Sequence, residues 1–198
     1  FIDFPGKVCA VAFTMGCNFR CPFCHNPELV DGSLFPDMFP EEEVLSFLVT
    51  RKGKLDALTI TGGEPCLRSD LADIAGAIPE DAAGLVSTTG CGFTEDLATR
   101  LRDAGIYAVA VSLDSAQEAE HDRRRGRTGA FRAAIDGIDR AERAGFYTYV
   151  CAVPTRALLE GDGFEQLVGL LADHGVPELQ IIEPAPAGRL LASGIEFG

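Results

Sequence analysis

Apolar residues gather into six short, nearly unbroken runs at 8–13, 57–61, 84–88, 107–113, 147–153 and 178–182. They are rich in Val, Ile and aromatics and scarcely alternate with polar residues, as strands buried on both faces do. The stretches between them carry helix signals. Pro40 suits a first-turn position, and Glu41, Glu42 and Glu43 suit the positive end of a helix dipole. Val44, Leu45 and Leu48 then form one face, and Gly53 can end the helix. Ser69 or Asp70 caps a second helix with Leu71, Ile74 and Ile78 inward, and Thr94 caps a third with Leu97 and Leu101 inward. Phe131, Ile135 and Ile138 mark a fourth, and Phe164, Leu167, Val168 and Leu171 a fifth. Asp103-Ala104-Gly105-Ile106, Arg143-Ala144-Gly145-Phe146 and Asp173-His174-Gly175-Val176 each read as helix end, glycine, strand start. This alternation predicts an α/β fold with a parallel sheet and right-handed crossovers. With 198 residues and no interior linker, it predicts a single domain over 1–198.

Composition narrows the classes. The net charge of −13 argues against nonspecific nucleic-acid binding. No apolar run is long enough to span a bilayer, so no membrane partner is expected. The N-terminus lacks a signal-peptide layout and an initiator Met, which reads as a chain trimmed from a longer protein. Seven Cys is an odd number, and three are clustered, which favours a reducing, cytoplasmic setting.

Those three carry the chemistry. Cys17, Cys21 and Cys24 form a C-x3-C-x2-C run within one short loop. Three thiolates so placed can hold three irons of a [4Fe–4S] cluster and leave the fourth open to a small molecule. The alternatives are a zinc site or three unrelated buried cysteines. Zinc normally takes a fourth Cys or His, and His25, adjacent to Cys24, is poorly placed to join the same tetrahedron.

In parallel α/β folds the working face lies at the C-terminal ends of the strands. The Cys loop follows the first run, Gly62-Gly63-Glu64-Pro65 the second and Thr88-Thr89-Gly90 the third, while Ser112-Leu113-Asp114 ends the fourth. Paired glycines let backbone approach a ligand, although Gly-Gly-Glu-Pro alone reads as an ordinary turn. Ser112 and Asp114, two apart, face the same side of a strand. Arg123 to Arg127 read either as a ligand-binding element or as a solvated basic turn. Cys9 and Cys151 read as packing residues. Cys66 and Cys91, on the working face, are too few for a second cluster, and His121 and His174 read as surface residues.

The Cys run, with Phe23 directly before its last Cys, and the Gly-Gly-Glu-Pro turn together resemble the radical S-adenosylmethionine (SAM) superfamily. The resemblance implies a partial (β/α)6 barrel. It implies a cluster whose open iron is chelated by SAM, and cleavage of SAM to a 5′-deoxyadenosyl radical with an electron from a donor such as flavodoxin or ferredoxin. It assigns the SAM amino group to backbone at Gly62 and Gly63 with Glu64 as a further acceptor, and adenine to the Phe23 backbone. Thr89 stands where the family often has Asn and would reach ribose. Ser112, Asp114 and Arg125 match a Ser-Leu-Asp and Arg-Gly pattern of maturases, in which Ser and Arg hold the SAM carboxylate. Val153 and Ile181 would flank adenine.

The N-terminal part, from Asp3-Phe4-Pro5-Gly6-Lys7 to Cys24-His25-Asn26-Pro27-Glu28-Leu29, looks like the activating enzymes of glycyl radical enzymes. The middle, with Pro184-Ala185-Pro186-Ala187-Gly188-Arg189, is more similar to maturases of peptides and cofactors. The expectation is therefore an anaerobic oxidoreductase that abstracts hydrogen from a substrate. A protein or peptide, such as a glycyl radical enzyme, is the first candidate and a cofactor precursor the second. The alternative of another class is a non-catalytic iron–sulfur electron carrier.

Overall fold

Each of the six apolar runs forms a strand. The computed structural model describes residues 7–35, 37–183 and 187–193. The strands are β1 (Cys9–Thr14), β2 (Ala57–Gly62), β3 (Ala83–Thr88), β4 (Ile106–Ser112), β5 (Tyr147–Ala152) and β6 (Leu179–Ile181). They lie in one sheet in the order β1-β2-β3-β4-β5-β6, every pair parallel. The sheet is open, with β1 and β6 as its edges, and this is the partial barrel expected.

The helices are α1 (Glu41–Thr50), α2 (Leu71–Gly76), α3 (Glu95–Asp103), α4 (Glu118–Arg125), α5 (Ala130–Arg143), α6 (Arg156–Glu160), α7 (Gly163–Asp173) and α8 (Arg189–Ser193). Thr94 caps α3 through its hydroxyl, which accepts from Leu97 N at 3.1 Å. Asp70 precedes α2 but does not cap it, because its carboxylate grips Arg68 at 2.9 and 2.6 Å. Of the face expected on α1, only Leu48 is buried, while Val44 and Leu45 stay more than a third exposed. Three helices were not expected from the sequence, namely α4 and the short α6 and α8.

The strands divide their side chains between two faces. Ile60, Val86, Val109, Val111 and Val150 meet Leu71, Leu97, Leu101, Ile138 and Leu167 in the main core under the helices. The opposite face carries mostly smaller strand residues, Cys9, Ala57, Leu85, Ala108, Ala110, Tyr149 and Cys151. That leaves space above it at the strand ends. No helix among the described residues is long and apolar enough to cross a membrane. Residues 1–6 and 184–186, which carry parts of the activase-like and maturase-like patterns, lie outside the described residues.

Ile138 is fully buried in the main core. Ile138→Ala should destabilise the protein by about 2–5 kcal/mol. Val49→Ala, on an exposed site, should change stability by less than about 0.5 kcal/mol. Urea midpoints of the two variants against the parent check the contrast.

Candidate active site

The cysteine loop leaves the end of β1 and returns at a single turn of 3-10 helix, Pro27–Leu29. Gly16 N donates to Leu29 O at 2.8 Å and so closes the loop. Its two aromatics anchor it, since Phe19 and Phe23 are both buried. Each lies under guanidinium groups from the α4 region: Arg127 stands 5.3 Å from the Phe19 ring, and Arg124 and Arg125 stand 5.5 and 5.3 Å from Phe23. Cation–π contacts of this kind hold a polar helix end against an apolar loop.

Cys17, Cys21 and Cys24 line one cavity of about 230 Å³. Phe23, Gly62, Gly63, Thr89, Ser112, Arg125 and Val153, all named from the sequence, line the same space. A more open cleft of about 420 Å³ beside Thr94 and Arg140 contains no cysteine. Among the described residues, no three Cys, His, Asp or Glu side chains close around a single metal ion. Three thiols spread round one cavity suit a multi-iron cluster better than zinc, which needs its ligands at one tetrahedral point. Burial pushes the Cys17 thiol up to about 11, and it raises Cys21 against the opposing pull of Arg125. Iron binding here must therefore displace protons.

Three residues of the predicted set stand outside the cavity lining. Glu64 is fully buried and already saturated. Its Oε1 accepts from Thr88 Oγ1 (2.6 Å) and Cys66 N (3.0 Å), and its Oε2 accepts from Thr89 N (2.7 Å) and Thr89 Oγ1 (2.5 Å). It pins the β2 turn to the β3 loop. Ile181 is displaced by one position: with a period of two, Ile182 faces the cavity and Ile181 points away, 41% exposed. Asp114 sits behind the cavity wall, fully buried. Arg125 donates to it from Nη2 at 2.9 Å, and Arg125 Nε lies 2.6 Å from Oδ2, off-line for a hydrogen bond, as an ion pair. Val153 N also donates to Asp114 Oδ1, at 3.0 Å. Burial alone would raise the Asp114 carboxyl, but the Arg125 and Arg124 charges outweigh it and hold it below the usual carboxylate range.

Of the stretch with two readings, Arg123 to Arg125 form the last turn of α4, and Arg124 and Arg125 are buried rather than solvated. Arg124 donates to Val153 O and to Asp114 O. His121, expected at the surface, is buried at 1% exposure. Its Nδ1 accepts from Asp114 N at 3.1 Å, and burial, then the charge of Arg125, lowers its pKa to about 4. His174 is partly exposed and sits 2.6 Å from Asp139. Cys91 accepts from Asn18 Nδ2 at 3.1 Å, tying the β3 loop to the cysteine loop.

The sequence signature described as the radical SAM superfamily matches residues 11–171. The chain belongs to the radical SAM superfamily. This radical SAM protein is 35% identical over 193 residues to a probable GTP 3′,8-cyclase of Aeropyrum pernix, covering 93% of this chain and 53% of that protein. It is 31% identical over 185 residues to a GTP 3′,8-cyclase of Listeria monocytogenes serotype 4b, covering 90% of this chain and 54% of the relative. It thus spans about half the length of these relatives. Streptococcus suis SuiB bound to S-adenosylmethionine has the same fold, with a TM-score of 0.78 at 16% identity over 97% of this chain and 44% of SuiB. The superfamily uses a [4Fe–4S] cluster and SAM, and the three-thiol cavity fits that pair. Both sequence relatives carry a nucleotide-cyclase name, where the N-terminal pattern had pointed to activating enzymes.

The buried network makes two outcomes measurable. Asp114→Ala leaves a buried guanidinium without its anion and should cost about 3–5 kcal/mol, whereas Asp114→Ala combined with Arg125→Met should recover much of that loss. Urea titration of the three proteins measures it. His121 has its folded pKa near 4, below its ordinary 6.5. Its neutral form therefore stabilises the fold fully above about pH 6.5, and that contribution is lost as pH falls toward 4. The urea midpoint should drop across this window in the parent, and drop less in His121→Gln.

Proposed function

We propose that the chain cleaves SAM reductively and uses the resulting radical to take a hydrogen atom from a substrate. The observation that carries this is the meeting of three thiols, two close-approach glycines, Ser112 and Arg125 round one cavity. When bound at Cys17, Cys21 and Cys24, the reduced cluster supplies the electron that breaks the S–C5′ bond. Asp114 holds Arg125 through Nη2 and an ion pair at Nε, and the guanidinium, which lines the cavity with Ser112, would meet the SAM carboxylate beside the Ser112 hydroxyl. Bound SAM would place its amino group at the main chain of Gly62 and Gly63, its ribose toward Thr89, and its adenine at the Phe23 backbone and Val153, all of which line the cavity. Glu64 acts by fixing the β2 turn, not as a direct acceptor. A flavodoxin or ferredoxin supplies the electron from outside.

For the substrate, we favour a polypeptide. Support comes from the N-terminal pattern, which resembles activating enzymes of glycyl radical enzymes, and from a structural neighbour, Streptococcus suis SuiB, whose structure holds a precursor peptide. The second reading, a purine nucleotide, is supported by the relatives named GTP 3′,8-cyclase. Incubation with SAM and reductant, adding GTP in one arm and a glycyl-radical-type polypeptide in the other, separates them. The substrate is the one that raises 5′-deoxyadenosine above the substrate-free background and, when deuterated, passes deuterium into it.

Anaerobic reconstitution should give about four Fe per chain with oxygen-sensitive visible absorbance. The Cys17→Ala/Cys21→Ala/Cys24→Ala variant should lose both. Removing the Arg125 guanidinium should weaken SAM binding roughly tenfold or more. Arg123→Ala, at an exposed arginine whose guanidinium pairs with Glu120, should have a small effect. Equilibrium binding of SAM to the iron-loaded proteins, with Asp114→Asn as a further arm, tests the clamp. Unchanged affinity in Arg125→Met would overturn it.

A further inference from the structure

Three glycines from three different elements press against the cysteine loop, one beside each thiol, and we infer that Gly126 and Gly188 together with Gly63 set the spacing of the three cluster ligands. This rests on the cluster reading above.

Gly63, just past β2, has no room for a Cβ, because that atom would collide with the Gly16 carbonyl next to Cys17. The adjacent Glu64 N donates to the same carbonyl at 2.8 Å. Gly126, just past α4, meets the next part of the loop. A Cβ there would stand 2.8 Å from the Arg20 carbonyl oxygen, beside Cys21. Arg20 N reaches back to Arg125 O at 3.4 Å, and Cys21 Sγ lies 3.6 Å from that carbonyl. Gly188, before α8, meets the last part. A Cβ there would collide with the Cys24 and His25 carbonyls, and Arg189 N donates to Cys24 O at 2.9 Å. In each case main chain from elsewhere in the fold stops against main chain of the loop, with hydrogen bonds alongside. Backbone so gripped cannot slide, and the Cα positions of Cys17, Cys21 and Cys24 are set from three directions. The consequence for Gly63 is that its substitution by Val should reach the cluster as well as the SAM site.

A simpler account is that Gly126 and Gly188 are present only for their left-handed backbone, φ 63° and 56°. Asn discriminates the two, since it tolerates that conformation while carrying the Cβ that the contact forbids. Gly105 and Gly145 also have left-handed φ, 88° and 76°, but a Cβ at either meets nothing within 4 Å. The experiment compares Gly126→Asn and Gly188→Asn with Gly105→Asn and Gly145→Asn. It reads iron per chain after anaerobic reconstitution, the EPR spectrum of the reduced protein, and the thermal midpoint before iron is added. The parent and the two controls should load fully. Gly126→Asn and Gly188→Asn should show iron affinity lowered on the order of tenfold and an altered EPR line shape, as loss of supporting contacts round a metal site does, with iron-free midpoints close to those of the controls. Full loading with the parental spectrum in either contact variant overturns the inference. So does an iron-free midpoint that falls well below the controls, because the contact would then serve the fold at large. A parent that takes up no iron would instead sink the cluster reading itself.

Discussion

Taking a carboxylate and a guanidinium out of water costs several kcal/mol per ion, and the cost is recovered only when each charge meets the other with its remaining polar atoms occupied. Asp114 and Arg125 meet that condition in part at the heart of the site: Oδ1 is hydrogen-bonded, while Oδ2 faces Arg125 Nε as an ion pair without a hydrogen bond. The carboxylate receives two contacts from Arg125 and one from the Val153 amide. His121 receives the Asp114 amide, and Arg124 takes the Asp114 and Val153 carbonyls. The ends of β4 and β5 and the whole of α4 are thereby joined by polar contacts. Arg125 extends the chain of dependence, because its own carbonyl faces Arg20 N and the Cys21 thiol. One residue thus presents a cation to the cavity with its side chain and supports the cysteine loop with its main chain.

The sheet supplies the other half of the geometry. Because all its pairs are parallel, every strand ends at the same rim. In register, Thr14 lies opposite Gly62 and Ser112 opposite Cys151. The cysteine loop, the glycine turn, the Thr88–Thr89 corner and Ser112 are therefore neighbours without any long excursion of chain. Glu64 then stitches two of these segments together with four hydrogen bonds. A buried carboxylate satisfied by neutral donors alone is a rigid joint, since losing any one donor exposes the full desolvation penalty.

Much of this was legible in the chain itself. The inner strands announced themselves because they are largely buried on both faces, so that hydrophobicity was continuous, and the edge strands β1 and β6 carry the same apolar run although they are only partly buried. The three cysteines and the glycine turn, which the fold brings round one cavity, stood out because a cluster site requires fixed residue types at short, fixed separations. α4 was not, for a physical reason. Its buried residues are His121, Arg124 and Arg125, so it has no apolar stripe for a periodicity search to find. The available signal was electrostatic: Glu118 and Glu120 at its start, three arginines at its end and Gly126 after them, which is how a helix dipole and a left-handed cap are completed. The same blind spot misplaced His121 and made Arg124 look solvated. Ile181 went astray for a different reason. Along a strand, one residue of uncertainty exchanges the two faces, and β6 is too short, at three residues, to fix the phase. Glu64 was readable as important but not as spent, because hydrogen bonds to residues 24 and 25 positions away leave no local trace.

The contact between Val153 N and Asp114 has a mechanical side. β4 ends at Ser112 and β5 at Ala152, and Leu113 N still reaches Cys151 O at 3.0 Å. One residue later the ladder stops, and the next amide of β5 is taken by a side chain instead of a neighbouring strand. Beyond that point the Asp114 carboxylate bridges the two chain ends through the Val153 amide, with the Arg124 guanidinium seated on the Val153 carbonyl. Asp114 therefore works as a cross-tie between the ends of β4 and β5, its reach matched to the Val153 amide on one side and Arg125 on the other. Glutamate would keep its charge but not its reach. Asparagine would keep the reach and forfeit the ion pair. At this position length is as strict a requirement as charge.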